Sequence, residues 1–239
     1  MRRTIKEEEE STMIEFKTIL LDADDTLFDF GACEREALRL AFERYEYEYS
    51  EEIRKIYEKI NVNLWKQYEL GKMDRKTVIY SRFGLLFQEL GIVDDGIAFE
   101  DDYQELLGMQ HFFIEGAMEL ILYLHKKYKL YIVTNGVTAT QLQRLKDSRL
   151  DQYMKKIFVS EETGYQKPMK EFFDYCFERM DQFDRSTTLI IGDSLSSDMK
   201  GGNNAGITTC WYNPKHIRNM SEVKVDIEIH DLKELYQLL

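Results

Sequence analysis

Apolar residues follow two rhythms along this chain, and the switch between them divides it. Residues 16–30, FKTILLDADDTLFDF, open with the continuous apolar run Ile19, Leu20 and Leu21, which predicts a parallel strand covered on both faces. From 34 to 109 the period is helical. Leu38, Ala41, Phe42 and Tyr45 keep the i, i+3, i+4, i+7 spacing, as do Ile53, Ile56, Tyr57 and Ile60. Ile79, Phe83, Leu86 and Leu90 predict a third helix ending near Gly91, and a fourth covers about 97–108. YEYEY (45–49) reads as an amphipathic helix end.

After Gly116, helices alternate with short apolar strands. A helix face of Ala117, Leu120, Ile121 and Leu124 precedes the strand KLYIVT (129–134). A helix near 138–146 leads to KIFVS (156–160), and the stripe Phe173, Cys176, Phe177 and Met180 leads to TTLII (187–191). Residues 195–205 read as helix, GITTCWY (206–212) as a strand, and Val225, Ile227 and Ile229 as a last strand before a terminal helix. Such alternation predicts an α/β fold with a parallel sheet and right-handed crossovers. The strand at 17–22 stands apart from its partners, so the helical block is an insertion directly behind it.

Composition narrows the function. At 239 residues and 44 % hydrophobic, the chain has ample material for a core. A formal charge of −12 argues against a nucleic-acid polymer as partner. No stretch has the apolar length of a membrane span, and MRRTIKEEEESTM lacks the hydrophobic run of a secretory signal. Residues 1–12, with the acidic block Glu7–Glu10, read as a solvated arm, and Met13 as the start of the folded unit. Cys33, Cys176 and Cys210 show no ligand spacing, and fit reduced, buried thiols in a cytoplasmic protein.

The chemistry gathers at the carboxyl ends of the strands, where open parallel sheets bind ligands. The first strand delivers Asp22 and Asp24, KLYIVTNG delivers Thr134, Asn135 and Gly136, GYQKP places Lys167 at a helix start, and TTLIIGDSLSSD supplies Asp193 and Asp198. Carboxylates beside a core are costly when isolated; a cation, a proton or phosphate chemistry would justify them, and so would a solvated Asp-rich loop. Of an Asp pair two apart, one can act as nucleophile and its neighbour as general acid and base. Mg²⁺ would relieve their repulsion. Lys167 and the Thr134–Asn135 donors suit phosphoryl oxygens. Asp25 and Asp29 read as solvated or capping residues, and Gly201 and Gly202 as allowing close helix–sheet packing.

DADDT, VTNG, QKP and GDSLSSD, in that order, resemble the four motifs of the haloacid dehalogenase superfamily. The resemblance spans essentially residues 17–212. It implies a Rossmann-like core (13–29 and 112–239) with a helical cap (30–111). It also implies an aspartyl-phosphate on Asp22, Asp24 as acid and base, and Thr134 and Lys167 on the phosphoryl group. Asp193 would help bind Mg²⁺ with Asp22 and the Asp24 backbone carbonyl. Asp198 would ligate the ion directly or orient Lys167 or a metal-bound water.

Members that remove halide lack the second aspartate, so Asp24 favours phosphate transfer. Phosphonate-cleaving members use a cap lysine, and this block has five: Lys55, Lys59, Lys66, Lys72 and Lys76. The opening motif, the TNG and the cap size look most like the pyrimidine 5′-nucleotidase branch, which implies nucleoside monophosphates as substrates. Sugar-phosphate phosphatase or phosphomutase activity is the alternative. A phosphoaccepting signalling module and a non-catalytic binding protein are the readings from other classes. In the helical block, Trp65 and Tyr68 could stack on a base, and Arg75 or Arg82 contact a polar leaving group; internal packing explains them equally well. The expected partner is a small phosphorylated metabolite, and the expected state a monomer or small homo-oligomer.

Overall fold

A computed structural model describes residues 15–239. The reading of residues 1–12 as an arm, and of Met13 as the start, lies outside them. The elements, in order, are β1 (Thr18–Leu21), α1 (Phe30–Arg44), α2 (Glu51–Glu69), α3 (Arg75–Leu90), α4 (Ile97–Gly108), α5 (Ala117–Leu124), β2 (Lys129–Thr134), α6 (Thr138–Asp147), β3 (Lys156–Val159), α7 (Ser160–Thr163), α8 (Lys170–Phe177), β4 (Thr188–Gly192), α9 (Lys200–Ala205), β5 (Thr208–Tyr212), β6 (Ile227–Ile229) and α10 (Leu235–Leu238).

All six strands pair in parallel, in the order β3-β2-β1-β4-β5-β6. This is the Rossmann-like α/β arrangement. The unbroken apolar run of β1 follows from its central place. Ile19 and Leu21 enter a cluster with Leu120, Ile121 and Leu124 of α5, whereas Leu20 faces Phe172, Phe173 and Cys176 of α8 on the other side. Gly202 of α9 lies so close to the sheet that a Cβ there would stand 2.5 Å from Thr209 Cγ2. Gly202 thus serves helix–sheet packing, whereas Gly201 lies against Phe173 of α8 and allows close helix–helix packing.

The chain builds β1, β2 and β3 outward on one side, then crosses to add β4 on the other. The winding reverses between β1 and β4, which opens a crevice at their carboxyl ends. Leu21 is level with Ile132 and Ile191, and the Asp22 amide extends the ladder to Ile191 O at 3.0 Å. Residues just beyond these positions leave the sheet together at one edge.

Helices α1–α4 form an all-helical block between β1 and α5. Each start has a local cause: Asp29, Ser50 and Asp74 cap α1, α2 and α3 by accepting from the amides of Ala32, Ile53 and Thr77. Gly91 ends α3 at φ 70°. The interior is aromatic, with Phe83 and Phe99 rings 4.6 Å apart and Tyr57 stacked on Phe83 at 5.0 Å.

Two expectations need correction. Residues 47–49 are irregular and not a helix end: α1 stops at Arg44, and Tyr47 and Tyr49, two apart, pack their rings against Phe42 of the block. Lys167 does not open a helix, because α8 starts three residues later at Lys170. Residues 195–205 are helical as expected, in two pieces, a π-helical turn at Leu195–Met199 and then α9. Such wide turns often mark functional segments.

Candidate active site

Lys167 lies at the centre of the crevice. Its Nζ donates to Asp22 Oδ1 at 2.7 Å, Asp198 Oδ1 at 2.7 Å and Val133 O at 2.8 Å, which uses all three of its donors. Its backbone is clamped by Asn135, whose Nδ2 donates to Lys167 O and whose Oδ1 accepts from Lys167 N, both at 2.9 Å. The Asn135 side chain is therefore engaged in holding Lys167. Asp198 is wholly buried, and its second oxygen accepts from Ser194 N at 3.1 Å.

One oxygen from each of Asp22, Asp193 and Asp198 lies within 4.8 Å of the others. Burial and the neighbouring Asp198 push the Asp22 carboxyl up to about 8, although Lys167 pulls it down. Burial, then Asp198 and Asp22, hold Asp193 well above the carboxylate range. Burial opposes the Lys167 charge, yet Asp198 and Asp22 outweigh it and raise the ammonium above its ordinary value.

With all three carboxyls ionised, they would face one ammonium, a surplus of two negative charges. Among the described residues no protein donor reaches the Asp193 carboxylate; only its backbone carbonyl is engaged, by Trp211 Nε1 at 2.7 Å. A hard divalent cation fits this donor set in charge and in chemistry.

Asp24 turns to different partners. Its Oδ1 accepts from Arg144 Nη1, and its Oδ2 from Gln141 Nε2 at 2.8 Å. Gln141 Nε2 also reaches Thr134 Oγ1 at 2.7 Å, so α6 ties the carboxyl to the Thr134 hydroxyl. Asp29 caps α1, and Asp25 is exposed, accepting from Phe30 N at 3.2 Å.

The helical block reaches the crevice at the end of α2. Ser196 Oγ donates to Glu69 Oε2 at 2.6 Å, Gln166 Nε2 donates to Tyr68 O at 3.2 Å, and Arg75 pairs with Glu161 at 3.0 Å. A groove of about 680 Å³ runs along this junction between Tyr68, Met73, Arg75, Gln166 and Met169. A larger groove, about 1360 Å³, lies at the opposite edge of the sheet near Phe16, Ile207 and Leu239, and Asp22, Asp193 and Asp198 do not line it.

Arg82 does not face this junction, which corrects its reading as a substrate contact. It is 1 % exposed, forked onto Glu100 at 2.6 and 2.7 Å and bonded to Asn61 at 3.0 Å inside the block. Trp65 is half-buried against Tyr68, their rings 5.5 Å apart in a T shape. Sequence reasoning passed over Glu69, Gln141 and Arg144. The last two carried a signal: polar residues three apart on the helix after the TNG motif, beside the apolar Leu145.

The haloacid dehalogenase-like hydrolase family model matches residues 16–206. YfnB of Bacillus subtilis, described as a HAD-hydrolase, is 48 % identical over 95 % of this chain and 97 % of its own. A crystal structure of YfnB bound to magnesium superposes with a TM-score of 0.90, covering 94 % of this chain and 99 % of that one. The pyrimidine 5′-nucleotidase PynA of Streptococcus pneumoniae is 36 % identical over 94 % of this chain and 95 % of its own. The pyrimidine 5′-nucleotidase YjjG of Escherichia coli is 33 % identical over 92 % and 96 %.

Proposed function

The chain belongs to the haloacid dehalogenase-like hydrolases, and we propose that it is a Mg²⁺-dependent phosphohydrolase that cleaves nucleoside 5′-monophosphates through an aspartyl-phosphate on Asp22. The observation that carries this reading is the Asp22–Lys167–Asp198 triad beside Asp193, with Asp24 two residues from the nucleophile. In the first step an Asp22 oxygen bonds to phosphorus as the bond to the leaving oxygen breaks, and Asp24 gives that oxygen its proton. In the second step Asp24 takes a proton from water, which attacks phosphorus and releases Asp22 and phosphate. Thr134 and Lys167, which would exchange its bond to Asp22 for one to the substrate, hold the phosphoryl oxygens.

Asp22 must be ionised to attack. Its carboxyl, raised by burial and Asp198 despite the positive Lys167 beside it, supports a role for a further positive charge at the site. Asp22, Asp193 and the Asp24 backbone carbonyl would hold Mg²⁺, while Asp198 fixes Lys167. The ion would offset the carboxylate charge and draw the phosphoryl group into place. Residues 30–111 are read as the cap over the crevice, with the substrate enclosed near Trp65, Tyr68 and Glu69. The near full-length likeness to PynA and YjjG supports a pyrimidine nucleotide as substrate.

Phosphate release from UMP, CMP, AMP and glucose 6-phosphate, with Mg²⁺ and with EDTA, tests the reading. Turnover of the pyrimidine nucleotides only with Mg²⁺ is expected, and so is its loss in a folded Asp22→Asn variant. Absence of turnover of any phosphomonoester with Mg²⁺ would overturn the assignment.

A further inference from the structure

Arg144 is charged, 1 % exposed and not assigned a role by the four motifs. It lies 120 residues from Asp24 in sequence yet donates to it directly. The same guanidinium also gives Nε to Gln110 O at 2.9 Å and Nη1 to Gln141 Oε1 at 2.9 Å, and it stands 4.7 Å over the Phe28 ring. Phe28 lies where the chain leaves the sheet for the helical block, and Gln110 where it returns. One side chain therefore touches both connections and the carboxyl of motif one.

A planar fork suits this task, because it can hold a carboxylate oxygen and a carbonyl in fixed directions at once; an ammonium on a flexible stem cannot. Here Nε and Nη1 are directed to the Gln110 carbonyl, the Asp24 carboxyl and the Gln141 amide oxygen, and these contacts fix the direction of the fork.

We propose that Arg144, with Gln141, is the positioning residue for the Asp24 carboxyl: it sets the direction from which Asp24 exchanges its proton with the leaving oxygen, and it ties that direction to the two connections of the helical block. Each held oxygen keeps a second lone pair, so the proton can be carried while the carboxyl stays oriented. The inference rests on the phosphohydrolase reading.

The test compares two leaving groups in the Mg²⁺-loaded enzyme. An alkyl phosphate such as UMP needs protonation of its leaving oxygen; 2,4-dinitrophenyl phosphate does not, because its phenolate leaves unaided. Misplacing the acid by about an ångström costs roughly 10²-fold. Arg144→Met is therefore expected to lower kcat/KM for UMP by roughly 10²-fold, with the aryl ester within about threefold. Arg144→Lys should recover part of the loss. Combined with Asp24→Asn, Arg144→Met should add little to the loss that Asp24→Asn causes alone, since both act through one carboxyl.

Equal losses on both esters, or full additivity with Asp24→Asn, would overturn the proposal. Circular dichroism and the melting temperature establish that the variants are folded, and Arg144→Lys replaces Arg144→Met in every comparison should the latter not fold. If the wild type turns over neither ester, the phosphohydrolase reading fails, and crystal structures decide the positioning role. An Asp24 carboxyl displaced in Arg144→Lys supports it; one unmoved overturns it.

Discussion

Gly192→Ala offers a sharp test of how the site is supported, because the clash is measurable and the backbone cannot yield. A Cβ at residue 192 would stand 2.3 Å from Asp198 Oδ2 and 2.7 Å from its Cβ. The strand is held on both sides, level with Trp211 of β5 and joined to β1 by the preceding residues, so Asp198 must move. Reaching ordinary van der Waals contact takes a shift of about an ångström. That shift breaks the 2.7 Å bond to Lys167 and the 3.1 Å bond from Ser194 N. Overpacking costs about 1–3 kcal/mol, and a lost bond to a buried charged group about 1.5–3 kcal/mol. A net destabilisation of about 3 kcal/mol corresponds to a Tm drop of about 6–12 °C for a chain of this size. Turnover should fall roughly 10²-fold as Lys167 loses its anchor.

Differential scanning calorimetry and steady-state hydrolysis measure the two effects. Gly31→Ala in α1 is the control: its Cβ would meet only Asp29 Oδ1 at 3.6 Å, so stability should hold or rise by up to about 1 kcal/mol. A Gly192→Ala protein within about 2 °C of wild type and within about threefold of its rate, well short of the expected losses, would refute the argument that Asp198 is fixed by the space this glycine leaves.

Three further outcomes are expected. Arg82→Met leaves Glu100 buried without its partner and should destabilise by about 3–5 kcal/mol in thermal melts, while KM for the substrate in the folded fraction stays near wild type; a large KM rise without loss of stability would restore Arg82 to the substrate site. Burial pushes the Glu34 carboxyl up to about 7, so the folded state holds its proton more tightly than the unfolded chain. Its contribution, about 3 kcal/mol, is present below the unfolded value of about 4.5 and lost as pH rises through about 7. Glu34→Gln should therefore melt with a flatter pH dependence between 5 and 8, and an unchanged slope would contradict the assignment. Mg²⁺ at a hundredfold excess over its dissociation constant should stabilise the wild type by about 2.7 kcal/mol. Asp193→Asn should lose most of that gain, and an equal gain in both would move the ion elsewhere.

Much of the fold was legible because its cause is local. The unbroken apolar run of β1 reflects a strand buried on both faces, and the spacing of Phe83, Leu86 and Leu90 reflects one buried helix face. Helix limits were legible where a cap decides them, as at Gly91, and less so where tertiary contacts compete. YEYEY reads as a helix end, but α1 stops at Arg44, and Tyr47 and Tyr49 pack onto Phe42 from irregular chain. Asp22, Lys167 and Asp193 could be gathered at one edge from sequence, because parallel strands deliver their following residues to the same side.

The sequence by itself determined the order of strands and helices, the position of the inserted block and the carboxyl edge where the acidic residues emerge. Periodicity and turn chemistry act over a few residues, so they can be read without knowing what packs against what. Tertiary structure decided how each polar group is used. Arg82 has the same charge as any surface arginine until Glu100 and Asn61 enclose it. Asp24 finds Gln141 and Arg144 across 117 and 120 residues, and Glu69 meets Ser196 across 127. Side-chain partners separated this far are chosen by the packing of whole elements, which no local pattern records.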